Sequence, residues 1–250
     1  MRTSLLLAAL VFAYSSPAVV NAAVVYGDFT GSTVMYLGVT ESNGTDEQKF
    51  GPPEIFGDEL NFTPTNFRAQ SDGAAVIEDS QLNLTVMSLA NGNPITQILI
   101  EEGGDFTLSG LGAAEAVASV GTNVRFTATH VGGTAISPSC VGEAQLVFTP
   151  NANGEFMLPG DAGTAVPWNG SLDFDVHALL ASCGIVDGDA TKVAIVLDNT
   201  LTAVAANGGA AFIAKKDFRG LTITVPEPSS SGLILTTLAV LGAFLRRRLR

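Results

Sequence analysis

Residues that usually carry enzyme chemistry are scarce in this 250-residue sequence, which has two histidines, two cysteines and one tryptophan. A serine or cysteine hydrolase needs a base, usually histidine, beside its nucleophile, and the patterns around His130 and His177 favour structural roles. The sequence also lacks a Gly-x-Ser-x-Gly elbow, a phosphate-binding glycine loop that leads to a lysine, and a His-Glu pair at metalloprotease spacing. These absences exclude nucleotide chemistry and indicate a protein that is not an enzyme.

Basic residues are also few, because 12 Lys and Arg stand against 24 Asp and Glu. Between positions 23 and 225 there are 7 basic and 23 acidic residues, so this segment carries a formal charge of 7 minus 23, or −16. Nucleic acids and anionic lipids bind basic patches, and we therefore expect no nucleic acid as a partner. Cations and neutral polymers are compatible with the charge.

The N-terminus has the three parts of an export signal in their usual order. Arg2 precedes an apolar run over residues 5–12, and small residues up to Ala22 provide a cleavage site. We therefore assign residues 1–22 to a signal peptide that signal peptidase removes, so that the mature chain begins at Ala23.

The C-terminus combines a proline segment, an apolar run and an arginine cluster. Pro226-Glu227-Pro228 resists helix and central strand, so we expect the folded domain to end there in an extended, accessible segment. Counted from Ser229, the apolar segment has about 17 residues, and as a helix it would reach about 25 Å, the lower limit for a transmembrane span. The arginines that would hold its end in the cytoplasm are Arg246, Arg247, Arg248 and Arg250.

These three elements resemble the C-terminal sorting signal of PEP-CTERM proteins of Gram-negative-type bacteria, and the resemblance covers residues 226–250. It implies that an exosortase, a membrane enzyme similar to cysteine transpeptidases, recognises Pro226, Glu227 and Pro228 and cleaves near them. The protein would be anchored transiently in the inner membrane and then passed to the cell surface or the exopolysaccharide. The alternative is an ordinary tail anchor that follows a chance proline linker.

Two cysteines, Cys140 and Cys183, lie in the segment expected to be exported. In an oxidising compartment an even number of cysteines favours a disulfide, which would close a loop of about 40 residues and stabilise the fold by roughly 3 to 4 kcal/mol. Two unconnected buried thiols are the alternative. The spacing of these cysteines and of the two histidines does not fit a zinc site.

Alternation of apolar and polar residues predicts β-strands throughout residues 23–225. The pattern occurs over residues 81–86, 123–128, 192–197 and 221–225, with a weaker contrast in 192–197, and an apolar run over residues 34–39 predicts a further strand. Turn residues separate the strands at 103–105, 132–133, 151–154 and 207–209. Short strands at roughly 10-residue spacing predict one all-β domain, an antiparallel β-sandwich or a jelly roll.

Two segments depart from the strand pattern. Residues 175–182 have helical spacing of apolar residues, and Asp173 or Asp175 could cap the N-terminus of a short helix. Residues 51–59 contain consecutive prolines, and we expect an irregular loop there.

Carboxylate pairs are the remaining route to catalysis, because glycoside hydrolysis needs only two acids at a suitable distance. Asp173 and Asp175 would share one face of a strand, whereas Glu101 and Glu102 would face opposite sides. Solvated faces and helix caps are the simpler interpretation of these acids. The single tryptophan, Trp168, fits core packing better than a sugar-binding platform.

We expect no cofactor, and calcium is the one metal to weigh against that expectation, because acidic extracellular β-domains often bind it between loops. Asp187-Gly188-Asp189 places two carboxylates around a glycine and is the candidate calcium site, with a plain turn as the alternative.

The sequence therefore predicts an exported, non-enzymatic protein of structural or matrix type. A carbohydrate- or calcium-binding module and, below it, a carboxylate-dependent glycan hydrolase are the alternative hypotheses.

Overall fold

The computed structural model describes residues 23–90, 94–216 and 220–226. The predicted signal peptide, and the sorting signal from Glu227 onward, lie outside the described residues. Within the described part of the chain, no helix is long and apolar enough to cross a membrane.

The described chain is built from β-strands and one short helix, α1 (Val176–Ser182). The strands are β1 (Val24–Thr30), β2 (Val34–Ser42), β3 (Glu54–Phe56), β4 (Glu59–Phe62), β5 (Arg68–Ser71), β6 (Val76–Ser88), β7 (Gln97–Ser109), β8 (Glu115–Val131), β9 (Thr134–Gln145), β10 (Val147–Thr149), β11 (Glu155–Met157), β12 (Gly163–Asp175), β13 (Ala190–Ala206), β14 (Ala210–Lys215) and β15 (Leu221–Thr224). The prediction of an all-β protein is confirmed.

The strands form two antiparallel sheets. The first sheet has the order β1-β2-β6-β13-β8-β11, and β9 pairs with β8. The second sheet has the order β10-β12-β7-β15-β4-β3, while β14 pairs with both β5 and β7. The pairings in both sheets are antiparallel, as the turn-rich sequence predicted.

The core lies between the two sheets, in a sandwich-like arrangement. Side chains from both sheets belong to a single buried apolar cluster, because alternate residues of strands such as β7 and β13 point inward. Two aromatic pairs join the sheets directly: Phe106 stacks on Phe156 at 4.1 Å between ring centroids, and Phe126 stacks on Phe174 at 3.7 Å.

The predicted segments fall within strands, except that Val225 lies one residue beyond β15, and several strands are much longer than predicted. Both β8 and β13 have 17 residues. The turns predicted at 132–133, 151–154 and 207–209 are confirmed, since each lies between two strands.

The turn predicted at 103–105 is wrong, because these residues lie inside β7. Gly104 lies in the strand because neighbouring atoms leave no room for a side chain, and it does not form a turn. A Cβ atom at this position would lie 1.9 Å from the carbonyl oxygen of Ala214 and 2.8 Å from Cζ2 of Trp168. The glycine therefore permits close packing against β14 and β12.

The irregular loop predicted over 51–59 is also wrong in part. Only residues 51–53 lack regular structure, and β3 and β4 form an antiparallel hairpin after them. The two prolines precede β3, so they remove no donor from its ladder. Gly57 provides the positive φ of +61° at the turn.

The short helix is confirmed, and Asp175 is its N-cap. Its carboxylate accepts a hydrogen bond from the Ala178 backbone N–H at 2.7 Å. At the other end, Cys183 is the C-cap residue and forms a disulfide with Cys140 of β9. The bond therefore ties α1 to the first sheet.

Candidate functional site

The described chain ends at the start of the expected sorting signal. After β15, the Val225 backbone N–H donates to the Asp58 carbonyl oxygen at 3.2 Å, and the Val225 side chain is buried. Pro226 follows and is half-buried. The other predicted signal residues lie outside the described residues: Glu227, Pro228, Arg246, Arg247, Arg248 and Arg250.

Asp58 and Tyr36 hold the last strand against the start of β2. The Asp58 carboxylate accepts from the backbone N–H of Thr33 at 2.7 Å. The Tyr36 hydroxyl lies 2.6 Å from the Asp58 carbonyl oxygen and 3.1 Å from that of Ile223. Burial, followed by the charge of Asp58, raises the pKa of Tyr36, so the hydroxyl stays protonated as a donor. The domain is therefore firmly held up to Val225.

Four polar side chains meet in the apolar core between the sheets: Glu102 of β7, Thr122 of β8, Asn199 of β13 and Lys215 of β14. We call them the buried polar cluster. Each is at most 3% exposed. Two of the residues come from each sheet, so the cluster bridges the sandwich.

Glu102 is the centre of the buried polar cluster. The Lys215 ammonium nitrogen contacts Glu102 Oε2, and Asn199 Nδ2 donates to the same oxygen at 2.9 Å. The Thr122 hydroxyl lies 2.6 Å from Glu102 Oε1 and 3.0 Å from Asn199 Oδ1. The carboxylate thus connects an amine with a side-chain amide.

Aromatic rings cover the lysine. Lys215 Nζ lies 5.7 Å from the ring centroid of Phe67 and 5.6 Å from that of Trp168. Burial lowers the pKa of Lys215, because a buried ammonium group loses its hydration; the Coulomb attraction and hydrogen bond of Glu102 oppose this effect. The surroundings therefore favour a neutral amine much more than water does.

The sequence prediction missed this cluster, although a signal for it exists. Asn199 continues the inward positions of Val193, Ile195 and Leu197 in the period-two pattern of β13. By the same counting, Glu102 follows Ile98 and Ile100 on the inward face of β7. A polar residue at an inward position is the informative exception.

The carboxylate and tryptophan candidates fall into two groups: Asp173 and Asp175 line one surface cavity together with His177, and Glu101, Glu102 and Trp168 line another. Asp173 is exposed and accepts from Gln97 Nε2 at 2.5 Å, while Asp175 caps α1. Glu101 and Glu102 face opposite sides, as predicted. Trp168 is only 1% exposed and belongs to the core, so it offers no platform for a sugar.

A surface cavity of about 560 Å³ lies beside β7 and β12. Its lining includes the exposed residues Glu101, Asn169, Ser171 and Lys216. The Lys216 ammonium nitrogen is 2.7 Å from Asp105 Oδ2, so this lysine is already paired.

The calcium candidates Asp187 and Asp189 lie in the segment between α1 and β13. Asp189 Oδ1 is 3.6 Å from His177 Nδ1, and the two side chains are about half-exposed. Among the residues that the structure describes, no group of three or more His, Cys, Asp or Glu side chains is arranged to hold a metal ion.

No protein-family model matches this chain, and no curated protein matches it significantly.

Proposed function

We propose that this chain is an exported, non-enzymatic structural protein of the cell envelope or the exopolysaccharide matrix. A signal peptide over 1–22 directs export, and a PEP-CTERM-like signal over 226–250 directs sorting. The observation that carries the proposal is the position of Pro226-Glu227-Pro228, which begins directly after the last buried residue of the domain, Val225.

This position suits a processing enzyme. Proteases and transpeptidases bind extended backbone, and the two prolines disfavour helix and strand pairing. The ladder of β15 is complete at Thr224, so cleavage near the motif leaves both of its strand pairings intact. Signal peptidase and an exosortase are the partners that this account requires, and the inner membrane holds the chain between the two cleavages.

The domain itself suits a matrix role. It has a continuous core, a disulfide and a net negative formal charge, all of which favour persistence as a soluble unit in an oxidising space. A jelly-roll topology for the sandwich stays a prediction.

The carbohydrate-binding alternative now depends on the cavity beside Glu101, Asn169 and Ser171, because Trp168 is buried. The calcium alternative keeps Asp187 and Asp189 as its only candidates. For neither alternative do the described residues form a group that is as specific as the sorting motif is in the sequence.

The sorting proposal is tested with full-length chains produced in a bacterium that carries an exosortase. We expect the unaltered chain on the cell surface or in the medium, in a shortened form. Glu227→Ala should accumulate in the inner membrane at full length after signal-peptide removal, because the recognition motif is damaged. Cell fractionation and immunoblotting measure both location and size.

Glu54→Ala is the matched control, since Glu54, like Glu227, directly follows a proline, and its side chain is exposed. It should be sorted like the unaltered chain. Deletion of the host exosortase should reproduce the Glu227→Ala result. Normal shortening and surface location of Glu227→Ala, or of the unaltered chain in the deletion host, would contradict the proposal.

A further inference from the structure

The buried polar cluster contains the reactants of an amide-forming reaction. Lys215 supplies a primary amine and Asn199 supplies a carboxamide, and both contact Oε2 of Glu102. A carboxyl group that contacts both partners can accept a proton from one and deliver it to the other. No other residue type or bound group is needed for this chemistry.

The amine is in surroundings that favour its nucleophilic form. Lys215 is fully enclosed, and apolar rings of Phe67 and Trp168 lie close to its nitrogen. In such surroundings the neutral amine is favoured relative to its state in water, because a buried ammonium group loses its hydration. Burial lowers the pKa of Lys215 in the same direction.

We propose that Lys215 and Asn199 form an intramolecular isopeptide bond in a single reaction catalysed by Glu102. The neutral Lys215 Nζ attacks Cγ of Asn199, and a C–N bond forms. The C–N bond to Nδ2 then breaks, and Nδ2 leaves as ammonia with a proton delivered by Glu102, which takes up in return the proton that Nζ loses on becoming an amide nitrogen. One amine and one carboxamide give one secondary amide and one ammonia, so no oxidant or other reactant is consumed.

Thr122 is placed to stabilise the charge that develops during attack. Its hydroxyl lies 3.0 Å from Asn199 Oδ1, the oxygen that becomes negative in the tetrahedral intermediate. The same hydroxyl lies 2.6 Å from Glu102 Oε1 and can accept a hydrogen bond from the protonated carboxyl group. Thr122 thus connects the proton carrier with the developing oxyanion.

The reaction depends on proximity and exclusion of water. The fold holds the amine and the amide against one oxygen atom, which replaces a bimolecular encounter by an intramolecular step. All members of the buried polar cluster are at most 3% exposed, so water does not compete with the amine as a nucleophile. The resulting bond would join β13 of the first sheet to β14 of the second.

The neighbouring lysine offers an internal control. Lys216 is exposed and pairs with Asp105 at 2.7 Å, with no described hydrogen bond to an amide side chain. The structure therefore assigns the reaction to Lys215 and leaves Lys216 unmodified.

Trypsin digestion and mass spectrometry of the full chain test this directly. In the linear chain, trypsin cuts after Lys192, Lys215 and Lys216, whereas an amide at Lys215 blocks the second of these cuts. We expect a fragment of residues 193–216 that is about 17 Da lighter than its linear mass, because one ammonia is lost. Fragmentation should give no single-break ions between 199 and 215, since the bond closes that segment into a ring.

Variants test whether the mass loss comes from the bond between Lys215 and Asn199. Lys215→Arg and Glu102→Gln should give only linear fragments. Asn199→Asp should form the same bond and lose about 18 Da, one water, because the carboxyl group then replaces the carboxamide. Lys216→Arg should keep the loss of about 17 Da. Circular dichroism establishes whether each variant folds. If Glu102→Gln does not fold, the masses of the unaltered chain and of Asn199→Asp test the isopeptide bond.

Three results would overturn the proposal. One is a linear fragment of residues 193–215 at full mass from the unaltered chain. Another is an ammonia loss that persists in Lys215→Arg, which would indicate a succinimide at an asparagine. The third is a water loss that links Lys215 to Glu102. The proposal is independent of the sorting proposal, since the bond would form in a correctly folded chain wherever it is located.

Discussion

At the scale of single residues, the packing around the buried polar cluster sets strict limits on size. The Cβ of an alanine at position 104 would lie 1.9 Å from the carbonyl oxygen of Ala214, a backbone atom that cannot rotate away. Gly104→Ala should therefore lower the free energy of unfolding by about 3 kcal/mol or prevent folding, as expected for overpacking. Urea unfolding followed by circular dichroism measures the change.

Gly121→Ala is the control for this prediction, because Gly121 also lies inside a strand but a Cβ atom added there would have no neighbouring atom within 4 Å. It should leave the unfolding midpoint unchanged or raise it slightly. Equal effects of the two substitutions would show that strand propensity, and not space at position 104, determines the outcome.

Inward residues could be predicted one strand at a time, but their partners could not. Counting by two from Ile98 and Ile100 places Glu102 in the core, and the sequence did predict that Glu101 and Glu102 face opposite sides. Lys215 and Asn199 are 113 and 97 residues away along the chain. Only the strand order brings them to Glu102, and alternation within a strand carries no information on that order.

At the scale of secondary structure, polar inward residues also explain why the long strands were predicted as short ones. The apolar alternation of β13 is interrupted at Asn199, and that of β8 at Thr122. Each strand continues beyond the interruption because hydrogen bonds inside the buried polar cluster satisfy the polar side chain. Sequence alternation therefore indicated one side of each interruption, residues 192–197 before Asn199 and residues 123–128 after Thr122, and not the whole strands.

The helix α1 is too short to be stable alone, and two features outside its apolar face hold it. Asp175 caps its first turn, and the Cys140–Cys183 disulfide fixes its C-cap residue to β9. Replacing both cysteines by alanine should lower the free energy of unfolding by about 4 kcal/mol in the chain-entropy model for a separation of 43 residues. Thermal unfolding without reductant measures the loss.

Asp175→Ala provides a comparison at the same helix and should cost about 1 kcal/mol, the usual value of an N-cap. Reduction of the unaltered chain should reproduce the effect of the double cysteine replacement. A double replacement that costs no more than Asp175→Ala would mean that the disulfide adds little to the fold.

At the scale of the whole molecule, two sheets, one disulfide and a net acidic charge describe a domain suited to persist outside the cell. The proposed isopeptide bond would add a covalent connection between the sheets, which the disulfide does not provide.

The all-β class could be predicted from alternation and turn residues alone. The pairing of β14 with both β5 and β7 did not, since it depends on contacts between distant segments.

We infer that residues 226–250 are a removable sorting signal on an exported domain. Terminal-peptide mass spectrometry of the protein recovered from its native cells tests it most directly. We predict a product in the surface or extracellular fraction that begins at Ala23, ends near Pro226-Glu227-Pro228 and lacks Arg246 to Arg250. Recovery of a chain that starts at Met1 and keeps its arginines in the soluble cytoplasm would contradict the claim.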